Sequence, residues 1–223
     1  MTQKDLKAYI ESHYSDTLKT VSEISKPDNG DVPLVDSEVQ IYCFDDICKK
    51  LHRLDRMPTS ADGLRFNRRT IELIEFKSGF NDKITKENFD PELAYCDHKN
   101  GVCDESFKQY TRIRKLEKRG LIDSLLLKAV ETYAVLEHKI FPDCNDYQGK
   151  QRRLKLIIVI DAEPTATEEA MLTTVAEKPF RKGSIYTKIE DAHARFRLSD
   201  DPHYYDEIEV ISAKEFKCRI ETK

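Results

Sequence analysis

Apolar residues along this chain recur at two periods, one helical and one strand-like. Over Lys4 to Lys19, Leu6, Tyr9, Ile10, His13 and Leu18 fall at helical spacing. Lys26-Pro27-Asp28-Asn29-Gly30 then forms a turn-rich loop. A second helix is predicted over Glu38 to Leu54, where Val39, Tyr42, Cys43, Ile47 and Leu51 share a face and Asp36 or Ser37 can cap the start. Val39 to Phe44 alone also suits a strand. Ile71 to Phe76 is β-branched and aromatic, without Gly or Pro, and reads as a strand. The polar Asn67-Arg68-Arg69-Thr70 before it predicts a hairpin with the run that follows Asp62.

Phe80 to Glu105 is a long irregular stretch marked by Asn81-Asp82, Asp90-Pro91 and Asn100-Gly101. Two helices are expected next, Phe107–Lys118 and Ser124–Lys139, divided at Gly120 with Asp123 capping the second. Leu125, Leu126, Leu127, Ala129, Val130, Tyr133, Ala134 and Leu136 make the second greasy enough to lie buried against a sheet. Leu154 to Asp161 holds a continuous Ile/Val run, the mark of a central strand buried on both faces. Thr165-Ala166-Thr167-Glu168 predicts a capping box for a short helix to Ala176, broken over Pro179 to Gly183. A short helix over Lys188–Phe196 and a strand over Glu207–Ile211 follow. Ser212-Ala213-Lys214-Glu215 then caps a last helix with Phe216 and Ile220 inward. This order predicts an α/β sandwich around a mixed sheet. At 223 residues the chain reads as one domain, with an N-terminal helix and loop over 1–35 and a core over 36–220.

The hairpin carries the candidate chemistry. Closed at Asn67 and Thr70, it sets Asp62 directly across from Glu75, with Cβ atoms about 4.5–5.5 Å apart. Two carboxylates so close repel unless a cation or a proton lies between them. Glu75 and Lys77 share a strand face with Ile71 and Leu73, while Ile74 and Phe76 point the other way. Lys77 is one candidate cation, and a divalent metal is another.

Asp62, Glu75-Phe76-Lys77 and their spacing resemble the PD-(D/E)xK nuclease superfamily, as do the adjoining Ser60-Ala61 and Ser78-Gly79 of small phage and bacterial members. Ala61 stands where the family name has proline. The resemblance spans roughly Glu38 to Ile220 and implies a restriction-endonuclease-like three-layer sandwich, a central mixed β-sheet flanked by helices. It further implies a magnesium or manganese ion held by Asp62, Glu75 and the backbone carbonyl of Phe76, with an extra acid from Glu38, Asp45 or Asp46. Lys77 would assist the water that attacks a phosphodiester. Gln109 is followed four residues on by Ile113 rather than tyrosine, which argues against the recombination-type exonuclease branch.

Net charge is −4, which does not favour nucleic-acid binding, so a basic face must come from local clusters. Arg65, Arg68 and Arg69 form one. Arg112, Lys115 and Arg119 form another at helical spacing, suited to a phosphate backbone or to solvent. A third runs over Lys150, Arg152, Arg153 and Lys155. Cys96, His98, Cys103 and Cys144 lack the paired Cys-x2-Cys spacing of a zinc site, so zinc is not expected. With no span-length apolar run and no signal pattern, a soluble cytoplasmic protein is expected. Gly-rich phosphate loops and G-x-S-x-G elbows are absent from the sequence. The leading expectation is therefore a metal-dependent nuclease acting on nucleic acid, with DNA the expected polymer and a homodimer or protein partner left open. The alternative is a nuclease-like fold without catalysis that serves as a binding module of a mobile element or defence system.

Overall fold

Side chains of successive strand residues point to opposite faces, and two interior strands of this protein carry apolar residues on both. The computed structural model describes residues 3–27, 30–52, 58–67, 70–80, 104–144, 153–162, 185–197 and 204–222. In it, β4 (Thr70–Lys77) and β5 (Arg153–Ile160) pair in parallel in the interior of a six-stranded mixed sheet. Ile71, Leu73, Leu156, Ile158 and Ile160 enter one core, and Ile74, Phe76, Ile157 and Val159 enter the other. Strand order follows chain order. β1 (Leu18–Thr20), β2 (Gln40–Cys43), β3 (Gly63–Asn67) and β4 are antiparallel neighbours, and β6 (Glu207–Ser212) runs parallel to β5.

Helices cover both faces. The first core takes side chains from α1 (Gln3–His13), α3 (Phe44–Leu51), α4 (Asp104–Val135) and α5 (Ile185–Arg197). The second takes Val21 of α2 (Val21–Ile24) and Phe216 and Ile220 of α6 (Ala213–Glu221). The Phe76 and Phe216 rings meet edge to face with centroids 5.5 Å apart, fixing β4 to α6. Among the described residues, no helix is long and apolar enough to cross a membrane.

The hairpin has the expected register: Asn67 pairs with Thr70 and Gly63 with Ile74. The Ser212 cap also forms, its hydroxyl accepting from the Glu215 amide at 3.1 Å. A capping box not anticipated from the sequence links Thr20 and Glu23 at the start of α2.

Three expectations need correction. The first helix ends at His13; a tight turn, Ser15–Thr17, leads into β1, so Leu18 lies in a strand. The Glu38–Leu54 segment is a strand followed by a helix. Gln40–Cys43 has partners on both sides, β1 and β3, and α3 begins only at Phe44, so Asp36 and Ser37 cap nothing there. Gly120 does not divide two helices, and Asp123 is not a cap. α4 runs unbroken through both for 32 residues and continues into a wide π-type turn, Leu136–Ile140, closed by the Phe141 amide on the Leu136 carbonyl. Glycine costs a helix interior about 1 kcal/mol, which flanking Arg, Lys and Leu offset where proline could not be. Burial on α4 is a stripe, Leu125, Ala129 and Thr132, that continues to Leu136 in the turn, while Leu127 is 52% exposed. The helix expected over Thr165–Ala176 lies outside the described residues, as do Cys96, His98 and Cys103.

Two substitutions test this helix. Nothing lies within 4 Å of a Cβ built at Gly120. Gly120→Ala should therefore raise the unfolding free energy by about 0.5–1 kcal/mol; a loss would mean that glycine terminates a helix there. In chemical denaturation Leu125→Asp should cost several kcal/mol, and Leu127→Asp less than about 0.5 kcal/mol.

Candidate functional site

Asp62 sits one residue before β3, and Glu75 lies near the end of β4 on the face that α4 covers. Both are held from the backbone outward. The Phe44 amide at the start of α3 donates to the Asp62 carbonyl at 2.9 Å, and the Phe76 amide donates to Asp62 Oδ2 at 2.7 Å. The segment before Asp62 is tied to α4. Thr59 donates through its hydroxyl to Glu131 at 2.7 Å, and the Ala61 amide donates to Thr132 Oγ1 at 2.7 Å. Beyond Lys77, Gly79 takes φ +100°, a conformation suited to glycine. There the Gly79 and Phe80 amides donate to the two Asp161 oxygens at 2.8 and 2.9 Å. Asp161 is thus a structural acid that fixes the turn leaving β4.

The two carboxylates converge on one cation, and it comes from α4. Lys128 Nζ lies 3.1 Å from Asp62 Oδ1 and 2.9 Å from Glu75 Oε2. It also lies 2.8 Å from Glu75 Oε1, so the ammonium spans both oxygens of that carboxylate. Side-chain exposure is 3% at Glu75, 16% at Asp62 and 24% at Lys128, so Glu75 forms the floor. Burial pushes the Glu75 carboxyl well above its ordinary range, and the neighbouring Asp62 charge adds to this. Lys128 and Lys77 only partly offset it. Burial likewise raises Asp62. For Lys128, burial pulls downward, but Glu75 and Asp62 outweigh it and hold the ammonium charged.

Asp62, Lys128 and Lys77 open onto a cleft of about 710 Å³ that is also lined by Lys19, Lys26, Lys49, Asp45 and Asp46. Asp45 accepts a hydrogen bond from Ser60 and bears electrostatically on Asp62. Asp46 is paired with Lys19 at 2.5 Å and Lys49 at 2.9 Å. Glu38 lines a different depression, with Lys217 and Glu221. Arg112, Lys115 and Arg119 are exposed on α4. At about 100° per residue they lie roughly 160–220° around the helix from Lys128, so the basic stripe faces away from the cleft. Arg68 and Arg69 lie outside the described residues.

The donor set suits a hard divalent cation. Carboxylate oxygens are the ligands magnesium and manganese take, and Asp62 and Glu75 turn three of theirs toward one point, now held by Lys128. Among the described residues, no group of three or more Asp, Glu, His or Cys side chains converges as a metal site. Two carboxylates would then be supplemented by the Phe76 carbonyl, water or substrate, which matches the reluctance of magnesium to shed its waters.

Comparison with protein-family models, curated proteins and solved structures gives no match to this chain. The site therefore stands on its own geometry.

The elevated Glu75 sets a pH dependence. A carboxyl whose folded pKa exceeds the unfolded value near 4.5 stabilises the fold below that value and loses its contribution as pH rises through the folded one. Urea unfolding should show wild-type stability, relative to Glu75→Gln, falling as pH is raised above the unfolded carboxyl value near 4.5. A rising difference would mean that Lys128 outweighs burial.

Proposed function

We propose that this protein is a metal-dependent nuclease of the PD-(D/E)xK type, built on a restriction-endonuclease-like sandwich. One observation carries the reading: Asp62 and Glu75, 66 and 53 residues from Lys128 in sequence, hold their oxygens about that one cation at the base of a lysine-lined cleft. The mixed sheet with helices on both faces is compatible with that fold. Asp62, Glu75 and the Phe76 carbonyl would hold magnesium or manganese, with Asp45 the nearer candidate for an extra acid. Bound there, the ion supplies a Lewis acid for a phosphate oxygen and an acidified water.

The residues of the chain divide the remaining work. Lys77 lies two residues beyond Glu75 on the same strand face and opens to the cleft, so its ammonium can orient the attacking water and offset charge developing at phosphorus. Lys19, Lys26 and Lys49 line the wall of the cleft and suit a nucleic-acid backbone, with DNA the expected polymer.

Lys128 favours a second reading as well. An internal ammonium already neutralises both carboxylates, as in a fold that has given up catalysis and acts as a binding module. One panel separates the two: single- and double-stranded DNA and RNA with magnesium or manganese, incubated with wild type, Lys77→Ala and Glu75→Ala. The nuclease reading expects Lys77→Ala to lose about 10²-fold or more in rate while keeping wild-type manganese affinity. It expects Glu75→Ala to lose both. If wild type cuts none of these substrates faster than Glu75→Ala does, the nuclease reading fails and the binding module takes its place.

A further inference from the structure

We infer that Lys128 occupies the cation position of the Asp62–Glu75 pair and must withdraw before a divalent ion can bind there. The inference rests on the metal-dependent reading and adds a residue that competes with the metal. Lys128 Nζ lies 3.1 Å or less from one Asp62 oxygen and from both Glu75 oxygens. A magnesium ion bound to the same oxygens sits about 2.0–2.1 Å from each. Ammonium and metal would therefore overlap or stand in near contact, and the burial of Glu75, 3% exposed, strengthens their repulsion.

The surroundings allow the side chain to leave and prevent the helix from following. Glu131 and Thr132, the next turn of α4, are bonded to Thr59 and Ala61, which anchors the backbone beside Lys128. The Lys128 side chain itself is 24% exposed and borders the cleft, and its four-carbon stem lets the ammonium swing outward. Withdrawn, it remains in the same cleft and faces any anion bound there. Without metal, Lys128 keeps two crowded carboxylates paired; with metal, it becomes a free cation beside them.

Two measurements test this. Isothermal titration with manganese should show Lys128→Met, which keeps an apolar stem without the charge, binding on the order of tenfold or more tighter than wild type. Reductive methylation of wild type, mapped by peptide mass spectrometry, should modify Lys128 slowly without metal and faster with saturating magnesium. The second measurement needs no substitution that could unfold the chain. Equal or weaker manganese binding by Lys128→Met, or labelling unchanged by magnesium, overturns the inference and leaves the metal-dependent reading standing. Absence of manganese binding by both proteins removes the two together.

Discussion

Glu75 is a carboxylate on an apolar sheet face, beneath a helix and beside a second carboxylate. Such a group must be protonated or paired with a cation, since an isolated buried charge is strongly unfavourable. Lys128 answers that need from α4, and the surrounding structure holds it to the task. Thr132 and Glu131 fasten the segment leading into Asp62, the Phe76 amide steadies the Asp62 carboxylate, and Asp161 fixes the turn after Lys77. The strands bring the acids together and the helix brings the base.

That arrangement accounts for the shape of the cleft. Its floor is dry and its wall is wet: Glu75 is nearly inaccessible, whereas Lys77, Lys19, Lys26 and Lys49 reach open space. Asp46 is engaged by two of those lysines, so part of the positive charge is already balanced. Lys26 lies 3.8 Å from Asp31 and Lys128 is held by Asp62 and Glu75, so their charge is balanced in part as well. The cleft thus interleaves its lysines with carboxylates, Glu23, Asp45, Asp46 and Asp62.

Much of this hairpin is legible in the sequence because its determinants are local. Two-residue alternation assigns Ile71 and Leu73 to one face and Ile74 and Phe76 to the other, and Asn67 and Thr70 set the register that opposes Asp62 and Glu75. The apolar run of β5 announces a strand buried on both faces, though it lies beside the edge strand β6 rather than at the centre. Lys128 is not legible: it lies 53 residues from Glu75 along the chain, and helical periodicity shows only the greasy face around it. Gln40–Cys43 misleads because a short apolar run fits either period, and it is pairing with β1 and β3 that decides. Gly120 misleads because a modest local cost gives way to a helix stabilised along the rest of its length. The basic stripe of α4 is plain in the sequence, but only the helix phase relative to Lys128 shows that it points away from the site.

The central claim is that Asp62 and Glu75 together form one cation site. Anomalous diffraction from crystals grown with manganese tests it most directly. The account predicts a single strong peak between the Asp62 and Glu75 oxygens, with density for the Lys128 side chain displaced into the cleft. Lys128 still seated between the two carboxylates at saturating manganese, with no peak beside them, would contradict it.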